Sequence, residues 1–279
     1  MEPYRQRNLI HKLKQKVNQK GQVLFTTHSP VVLAELDITK LIIVHSENGN
    51  TSIQTAASQD DVLNSEMQKI LRRVPEAFLT PRVLVCEGKT EVGFIRAMDE
   101  AMQKKENHYM ASQCVSYVDG NGGGTALDDA KGLSELGYEV AILIDNDVRD
   151  EDKKKKELLS KGIPVFTWPM GKCLETALLP LLPIENLESA LQWDSDYKEA
   201  TWDELLKQNL SEEKYLLKHE LNSTEVLQVA QICSQKSFFK RIAGGERLGK
   251  AVFSIFDKIS SESEEKKTIE NIIKWIDKI

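Results

Sequence analysis

Residues 82–91, which read RVLVCEGKTE, decide how this chain folds. Val83–Cys86 is a short apolar run with β-branched valines, a pattern typical of a strand that is covered on both faces. Glu87 and Gly88 follow the run at once, and a segment with helical character comes next. Because open α/β sheets bind ligands at the carboxyl ends of their strands, we expect Glu87 to lie at such a site.

A second apolar run indicates the same kind of site. Residues 140–144 read VAILI and are followed directly by Asp145, Asn146 and Asp147. Carboxylates two residues apart in an extended segment point to the same side. Magnesium prefers a few carboxylates, together with waters and phosphate oxygens, as its ligands. Two strands that both end in carboxylates therefore predict one acidic crevice that binds a metal.

Composition limits the class of protein. The 279 residues are 41% hydrophobic and 29% charged, as in globular proteins. A net charge of -6 argues against a generally basic nucleic-acid surface, although a local basic groove beside an acidic metal site is compatible with it. The four cysteines form no CxxC pair, so we expect reduced, structural thiols and no zinc site. No apolar run has the length of a membrane span and the start is no signal peptide, so we expect a cytoplasmic protein without a membrane partner.

From residue 82 onward, apolar runs alternate with helical segments. The runs are Val83–Cys86, Cys114–Val118, Val140–Ile144 and Pro164–Trp168, and the helical segments between them are Val92–Met102, Ala126–Leu136 and Glu151–Ser160. This alternation predicts an α/β fold, with a compact parallel sheet flanked by helices. Beyond Lys172 the pattern is helical, with amphipathic stretches near residues 174–182, 202–217, 226–231, 248–259 and 268–279.

The N-terminal part has a different pattern. Residues 2–18 predict a helix, residues 22–25 a strand, and residues 41–53 a β-hairpin. Between the strand and the hairpin, Ser29 and Pro30 predict the capped start of a short helix.

Residues 22–30, which read QVLFTTHSP, resemble the C-terminal part of an ABC-type ATPase domain. In that family the histidine of the THSP sequence senses the terminal phosphate of the nucleotide. The resemblance implies that residues 1–58 are an ATPase remnant and that His28 is the remnant of that sensor; a polar histidine in a capped turn is the alternative. The chain has no GxxxxGK[ST] loop. We therefore expect no ATP hydrolysis by this chain alone, and a role for ATP only with an upstream or partner ATPase portion.

Residues 87–91 and 145–147, each after an apolar run, resemble the TOPRIM domain of topoisomerases, primases and OLD (overcoming lysogenization defect) nucleases. An ATPase-like tail directly before such a domain is the arrangement of the OLD family. The resemblance implies a DNA endonuclease or nickase that hydrolyses phosphodiesters with two Mg²⁺ or Mn²⁺ ions, in antiviral defence. After the ATPase remnant it divides the chain into a helical linker, a TOPRIM core and a helical C-terminal part of the nuclease domain, at residues 59–81, 82–185 and 186–279.

Acidic residues are the predicted metal ligands. Residue pattern and resemblance together indicate Glu87, Glu91, Asp145 and Asp147. The resemblance adds Glu175, for which an exposed helix glutamate is the alternative. It also implies a late catalytic lysine that offsets transition-state charge. The predicted catalytic residues are Glu87, Asp145, Asp147, Lys240 and Lys236, with the choice of lysine open. Lys250 is the third candidate for this lysine, and a solvated helix charge is the alternative for each of the three.

A glycine run after the second predicted strand of the sheet is a candidate phosphate-binding element. Small residues let backbone N–H groups approach an anion at a helix start, which favours Gly122, Gly123 and Gly124; a flexible loop is the alternative. Asp119 either helps a metal or caps this turn. Lys250 is a further candidate for DNA contact, and Lys153–Lys156, flanked by acids, predicts a solvated helix face.

Two other functions fit the same pattern. One is a topoisomerase- or primase-type TOPRIM module, although no tyrosine has a context that indicates a nucleophile. The other is a non-catalytic lobe that docks on an ATPase. The expected partners are DNA, a second copy of the chain, and an ATPase portion or defence-system protein.

Overall fold

The computed structural model describes residues 2–17, 21–47, 49–58, 61–106, 109–148, 151–191, 207, 211 and 221–278. The helical stretch expected at residues 202–217 lies outside these residues, apart from 207 and 211. In the described part of the chain, no helix combines the length and the apolarity needed to cross a membrane.

The N-terminal part contains the predicted helices and hairpin. Its elements are α1 (Pro3–Val17), α2 (Pro30–Ala34), β1 (Ile42–Glu47), β2 (Asn50–Thr55) and α3 (Asp61–Arg73). Ser29 caps α2 by accepting a hydrogen bond from the Val32 N–H at 3.4 Å, and Pro30 occupies the first helical position, as predicted. The antiparallel pairing of β1 with β2 confirms the hairpin.

The strand predicted at residues 22–25 is wrong. Residues 21–29 have no regular secondary structure. The side chain of Leu24 is 81% exposed, and Val23 and Phe25 are exposed as well. A strand needs a neighbouring strand to pair its backbone N–H and C=O groups, and the described residues supply none at this position. An apolar run alone is therefore not sufficient to predict a strand at this position.

Four parallel strands form the central sheet, in agreement with the predicted fold class. In chain order they are β3 (Arg82–Cys86), β4 (Val115–Asp119), β5 (Glu139–Ile144) and β6 (Val165–Thr167). Their order across the sheet is β4-β3-β5-β6. Val83 and Val85 of β3 pack in the core on one face, while Leu84 and Cys86 pack in the core on the other face. Both faces are covered, which explains why the strands read as continuous apolar runs.

Helices cover the two faces of the sheet. They are α4 (Lys89–Glu106), α5 (Gly123–Glu135), α6 (Asp152–Ser160), α7 (Leu174–Leu178), α8 (Ile184–Leu191), α9 (Ser223–Gln235), α10 (Ile242–Ser254) and α11 (Glu264–Ile276). Helix α4 begins at Lys89 and not at Val92, and α5 begins at Gly123 and not at Ala126. Gly123 and Gly124 are therefore the first turn of a helix and not a flexible loop.

The contact between α4 and α10 positions the segment around residue 240 at the carboxyl edge of the sheet. A Cβ atom on Gly93 or on Gly245 would overlap the backbone of the other helix, so only glycine permits this close approach. The Thr90 hydroxyl, which is buried, donates a hydrogen bond to the Phe239 carbonyl at 2.9 Å. These contacts hold residue 240 beside the first turn of α4.

Candidate metal centre

The ends of β3 and β5 are joined at the carboxyl edge of the sheet. The Glu87 N–H donates a hydrogen bond to the Leu143 carbonyl at 2.9 Å. The Asp145 N–H donates a hydrogen bond to Glu87 Oε2 at 2.7 Å. The two acidic strand ends that the sequence predicts as neighbours are therefore in direct contact.

Three carboxyl groups at this edge are buried. Glu91, in the first turn of α4, is 5% exposed, Asp145 is 6% exposed and Glu175 is 2% exposed. Glu91 accepts a hydrogen bond from the Gly88 N–H, and Asp145 Oδ1 accepts one from the Leu174 N–H, both at 2.9 Å. Glu175 Oε1 is buried without a hydrogen-bond partner among the described residues. Its burial excludes the exposed helix glutamate that was the alternative reading.

Crowding of these acids shifts their protonation. Burial, reinforced by the charges of Glu91 and Glu87, raises the pKa of Asp145 to about 9. Burial raises the pKa of Glu91 to about 7, and Glu87 and Glu175 add to this shift. Burial also raises the pKa of Glu87. Such a cluster retains protons near neutral pH unless cations compensate its charge.

Lys240 is one cation beside this cluster. Its side chain is exposed. Partial burial lowers the pKa of the ammonium group, but Glu175, Glu91, Asp145 and Glu87 together raise it above the ordinary lysine value. Lys236 is the exposed C-cap residue of α9. Of the two candidate lysines, Lys240 is therefore the one whose electrostatic contacts with the acidic cluster are evident.

Lys155 is a second cation that the sequence analysis missed. It was assigned to a solvated helix face, but it is only 6% exposed. Its Nζ donates a hydrogen bond to the Asp145 carbonyl oxygen at 2.8 Å and lies 3.9 Å from the Glu151 carboxylate. The sequence feature that could have predicted this burial is Leu158, an apolar residue that lies three positions later on the same helix face and is buried.

The glycine run opens beside Glu87. Gly122 is the N-cap residue of α5 with a φ of 108°, a conformation that favours glycine. Its N–H donates a hydrogen bond to the Glu87 carbonyl at 2.7 Å.

The Glu151 carboxylate, which the sequence analysis did not single out, packs directly against Gly123. Burial, followed by the charge of Glu87, raises the pKa of Glu151. Asp119 Oδ1 accepts a hydrogen bond from the Asn121 N–H at 2.9 Å, so this side chain caps its turn.

Two predicted residues lie elsewhere. Lys250 of α10 is 3.1 Å from the carboxylate of Glu100, which lies about 13.5 Å further along α4 than Glu91 at the rise of an α-helix. His28 lies in the N-terminal part of the chain, directly before the cap of α2. The structure fixes these positions, and the roles of all the candidate residues stay predictions.

Cys173 is a further group at the sheet edge, and no sequence pattern had singled it out. One ligand atom each from Asp145, Asp147 and Cys173 lie within 4.8 Å of one another. Asp147 is exposed, whereas Asp145 and Cys173 are buried. The predicted proximity of the Asp145 and Asp147 carboxylates is confirmed, and a thiol accompanies them.

Part of the chain is similar to known proteins. Residues 78–147 match the family profile described as "Overcoming lysogenization defect protein-like, TOPRIM domain". The chain is also 27% identical over 180 residues to Endonuclease GajA of Bacillus cereus (strain VD045), a match that covers 58% of this chain and 25% of that protein. The chain thus spans about a quarter of the length of this curated relative.

One solved structure also resembles the chain. It is the C-terminal region of the Burkholderia pseudomallei OLD protein, with 13% identity and a TM-score of 0.39 over 71% of this chain and 98% of that one. A TM-score of this size is too low to establish a shared overall fold, so the assignment depends on the sequence matches and on the parallel sheet with its acidic edge. The profile match at residues 78–147 and the similarity to GajA support an OLD/GajA-like TOPRIM protein.

Proposed function

We propose that this chain is a divalent-metal-dependent DNA endonuclease or nickase. The observation that carries the proposal is the buried carboxylate cluster at the sheet edge, with Lys240 beside it and with an oxygen of Glu175 that has no hydrogen-bond partner in the described part of the chain. The matched TOPRIM domain and the similarity to Endonuclease GajA support a nuclease. DNA as the substrate and antiviral defence as the biological role belong to the proposal.

The chemistry of the donors fits a hard cation. Glu87, Glu91, Asp145, Asp147 and Glu175 offer carboxylate oxygens, which Mg²⁺ and Mn²⁺ prefer. A buried, unpartnered carboxylate oxygen is costly, and a cation would remove that cost. Five carboxyl groups exceed what one Mg²⁺ usually takes from a protein, which supports two ions. When bound, two ions stabilise the attacking water and the leaving oxygen of a phosphodiester.

The chain itself supplies orientation and charge. The Asp145 N–H binds Oε2 of Glu87, and Oε1 has no hydrogen bond to any residue that the structure describes, so a ligand could take it. Lys240 offers a positive charge that can offset the negative charge gained by the phosphate in the transition state. The first turn of α5, which begins with Gly123 and Gly124, offers backbone N–H groups to a phosphate beside Glu87, whereas the Gly122 N–H is already bonded to the Glu87 carbonyl.

The domain organisation is part of the proposal. We propose that residues 82–185 form the TOPRIM core and residues 186–279 the helical remainder of the nuclease domain. Residues 1–58 would be the end of an ATPase domain, with residues 59–81 as linker. ATP then matters only where an ATPase portion is present.

A plasmid-cleavage assay tests the activity. With Mg²⁺ or Mn²⁺ we expect nicked or linear product from the wild type, and none after chelation. Loss of a group that hydrogen-bonds a metal ligand commonly costs about 10–100-fold in metal affinity or activity. Loss of a ligand itself should cost at least as much, so Glu87→Ala and Asp145→Ala should each lower the cleavage rate by about 100-fold or more. The control is Asp128→Ala, which removes an exposed carboxylate paired with Lys154. Equal rates in all four proteins would refute the proposal.

The products separate the alternatives. Relaxed, religated plasmid would favour a topoisomerase-type module. Absence of divalent-metal binding in calorimetry, with stable co-purification of a partner, would favour the interaction lobe. The exposed apolar side chains of Val23, Leu24 and Phe25 are the observation that favours that second function.

A further inference from the structure

The Cys173 thiol is fixed beside the Asp145–Asp147 turn by backbone hydrogen bonds. The Asn146 N–H donates to the Lys172 carbonyl at 3.0 Å, and the Gly171 N–H donates to the Asn146 carbonyl at 2.9 Å. These two bonds join the segment before α7 to the end of β5. Cys173 is the N-cap residue of α7, so its side chain lies at the junction of these two segments.

The surroundings of the thiol are polar although it is buried. Its Sγ lies 3.3 Å from Thr176 Oγ1 and 3.3 Å from Ser234 Oγ. Sγ and one oxygen each of Asp145 and Asp147 all lie within 4.8 Å of one another. This combination of one sulfur and two carboxylate oxygens differs from the all-oxygen set that suits magnesium.

A second observation indicates that a ligand belongs here. Glu175 follows Cys173 by two residues, is 2% exposed, and keeps Oε1 without a hydrogen-bond partner among the described residues. Between Cys173 and Glu175, the Leu174 N–H donates a hydrogen bond to Asp145 Oδ1 at 2.9 Å, so the first turn of α7 lies against Asp145. Glu175 therefore belongs to the helix turn that contacts Asp145, and a cation bound beside this turn would satisfy its oxygen.

We propose that Cys173, Asp145 and Asp147 form a site for a borderline-soft divalent cation, Zn²⁺, which excludes Mg²⁺ or Mn²⁺ from Asp145 and Asp147 and so inhibits cleavage. Thiolate ligands favour zinc over magnesium, and zinc binds nitrogen, oxygen and sulfur ligands more tightly than manganese does. The widely spaced cysteines do not predict a zinc site, because the other two ligands are carboxylates of the segment that follows β5. The inhibitory part of this proposal rests on the proposed nuclease function, whereas zinc binding does not.

The geometry needs only a small adjustment. Zinc lies about 2.3 Å from sulfur and about 2.0–2.2 Å from carboxylate oxygen, so a tetrahedral ion holds its ligands roughly 3.5 Å apart. The ligand atoms here are already within 4.8 Å. The side chain of Asp147 is exposed and can close the difference. Three protein ligands leave the fourth position of zinc to water or to Glu175.

Cobalt gives a direct test, because Co²⁺ replaces Zn²⁺ and shows a near-ultraviolet charge-transfer band only when a thiolate is its ligand. We expect the full chain with Co²⁺ to show this band and Zn²⁺ to abolish it. Cys173→Ser should lack the band and bind Zn²⁺ at least about 10-fold more weakly. Serine is a preferred N-cap residue and can keep both hydroxyl contacts, so this variant should fold. Cys114→Ser, which changes an exposed thiol, is the matched control and should keep the band.

Cleavage assays then test inhibition. Micromolar Zn²⁺ should suppress Mn²⁺-supported cleavage by the wild type and by Cys114→Ser, while Cys173→Ser should keep its activity and resist zinc. A missing band, or equal zinc affinity in wild type and Cys173→Ser, would refute the site. A band with no cleavage under any condition would refute the nuclease proposal and leave the zinc site standing. Cleavage with zinc binding but without inhibition would refute the overlap.

Discussion

Asp129 and Asp145 are both buried carboxyl groups, but they have opposite neighbours. Asp129 of α5 is 2% exposed, and its carboxylate lies 3.6 Å from the guanidinium of Arg73. Burial raises the pKa of Asp129 to about 7, against the opposing effect of Arg73. Burial raises the pKa of Asp145 to about 9, and its neighbours Glu91 and Glu87 raise it further instead of opposing burial.

The difference separates a structural acid from a candidate metal ligand. Burial by itself accounts for a raised pKa in both regions, so a shifted pKa does not distinguish them. What distinguishes Asp145 is a group of acids that exceeds the nearby positive charge of Lys240 and Lys155. A divalent cation would correct that excess at Asp145, whereas Asp129 already has Arg73.

The largest expected effect concerns the buried acids around Asp145. Glu91→Gln and Glu175→Gln remove charge with little change in shape, and we expect each to lower metal-dependent plasmid cleavage by about 100-fold. Asp129→Asn should leave the rate within about 2-fold of wild type. The measurement is the initial nicking rate at saturating Mn²⁺. If Asp129→Asn lost activity at unchanged thermal stability, Asp129 could no longer be distinguished as a structural acid from Asp145 as a candidate metal ligand.

A similar effect is expected for the cation beside the cluster. Lys240→Met should lower cleavage by about 100-fold, because removal of one group that stabilises transition-state charge costs about 10²–10³-fold. Lys250→Met removes a lysine that pairs with Glu100 and should change the rate by less than about 3-fold. Binding of metal, measured by calorimetry, should persist in both variants. If Lys236→Met and not Lys240→Met abolishes cleavage, the assignment of the late lysine is wrong.

A smaller effect is expected in stability and its pH dependence. The folded-state pKa values of Asp145 and Glu91 are raised, so their neutral forms favour the folded state. Without metal, the contribution of these two carboxyl groups to stability is complete below about pH 4, where both groups are also protonated in the unfolded chain. It is lost as the pH rises through about 7 and then about 9. The melting temperature of the metal-free protein should therefore fall between pH 5 and pH 9.

Metal addition sharpens this test. At pH 8, Mg²⁺ at about 100 times its dissociation constant should stabilise the protein by about 2.7 kcal/mol, which corresponds to an increase of about 5–10 °C. Asp129→Asn should weaken the pH dependence below pH 7 and keep the metal effect. Asp145→Asn should lose the metal effect. A metal-free melting temperature that rises toward pH 9 would contradict the sign of these shifts.

The sequence by itself determined the class of fold and one half of the candidate site. The apolar runs Val83–Cys86 and Val140–Ile144 form strands because both of their faces are covered, and that pattern is local. Glu87, Asp145 and Asp147 follow these strands directly, so their position at the sheet edge follows from the strands alone. Local pattern failed at residues 22–25, because a strand also requires a partner for its backbone.

Only the tertiary structure decided which distant groups join those acids. Glu175 and Lys240 had been suggested by resemblance, and neither Lys155 nor Cys173 had been expected near Asp145. Their positions depend on contacts between elements: the glycine-permitted approach of α4 and α10, and the backbone bonds of Asn146 with the segment before α7. Such contacts have no local periodicity in the sequence, because they join residues that are far apart along the chain and meet only when the helices pack on the sheet.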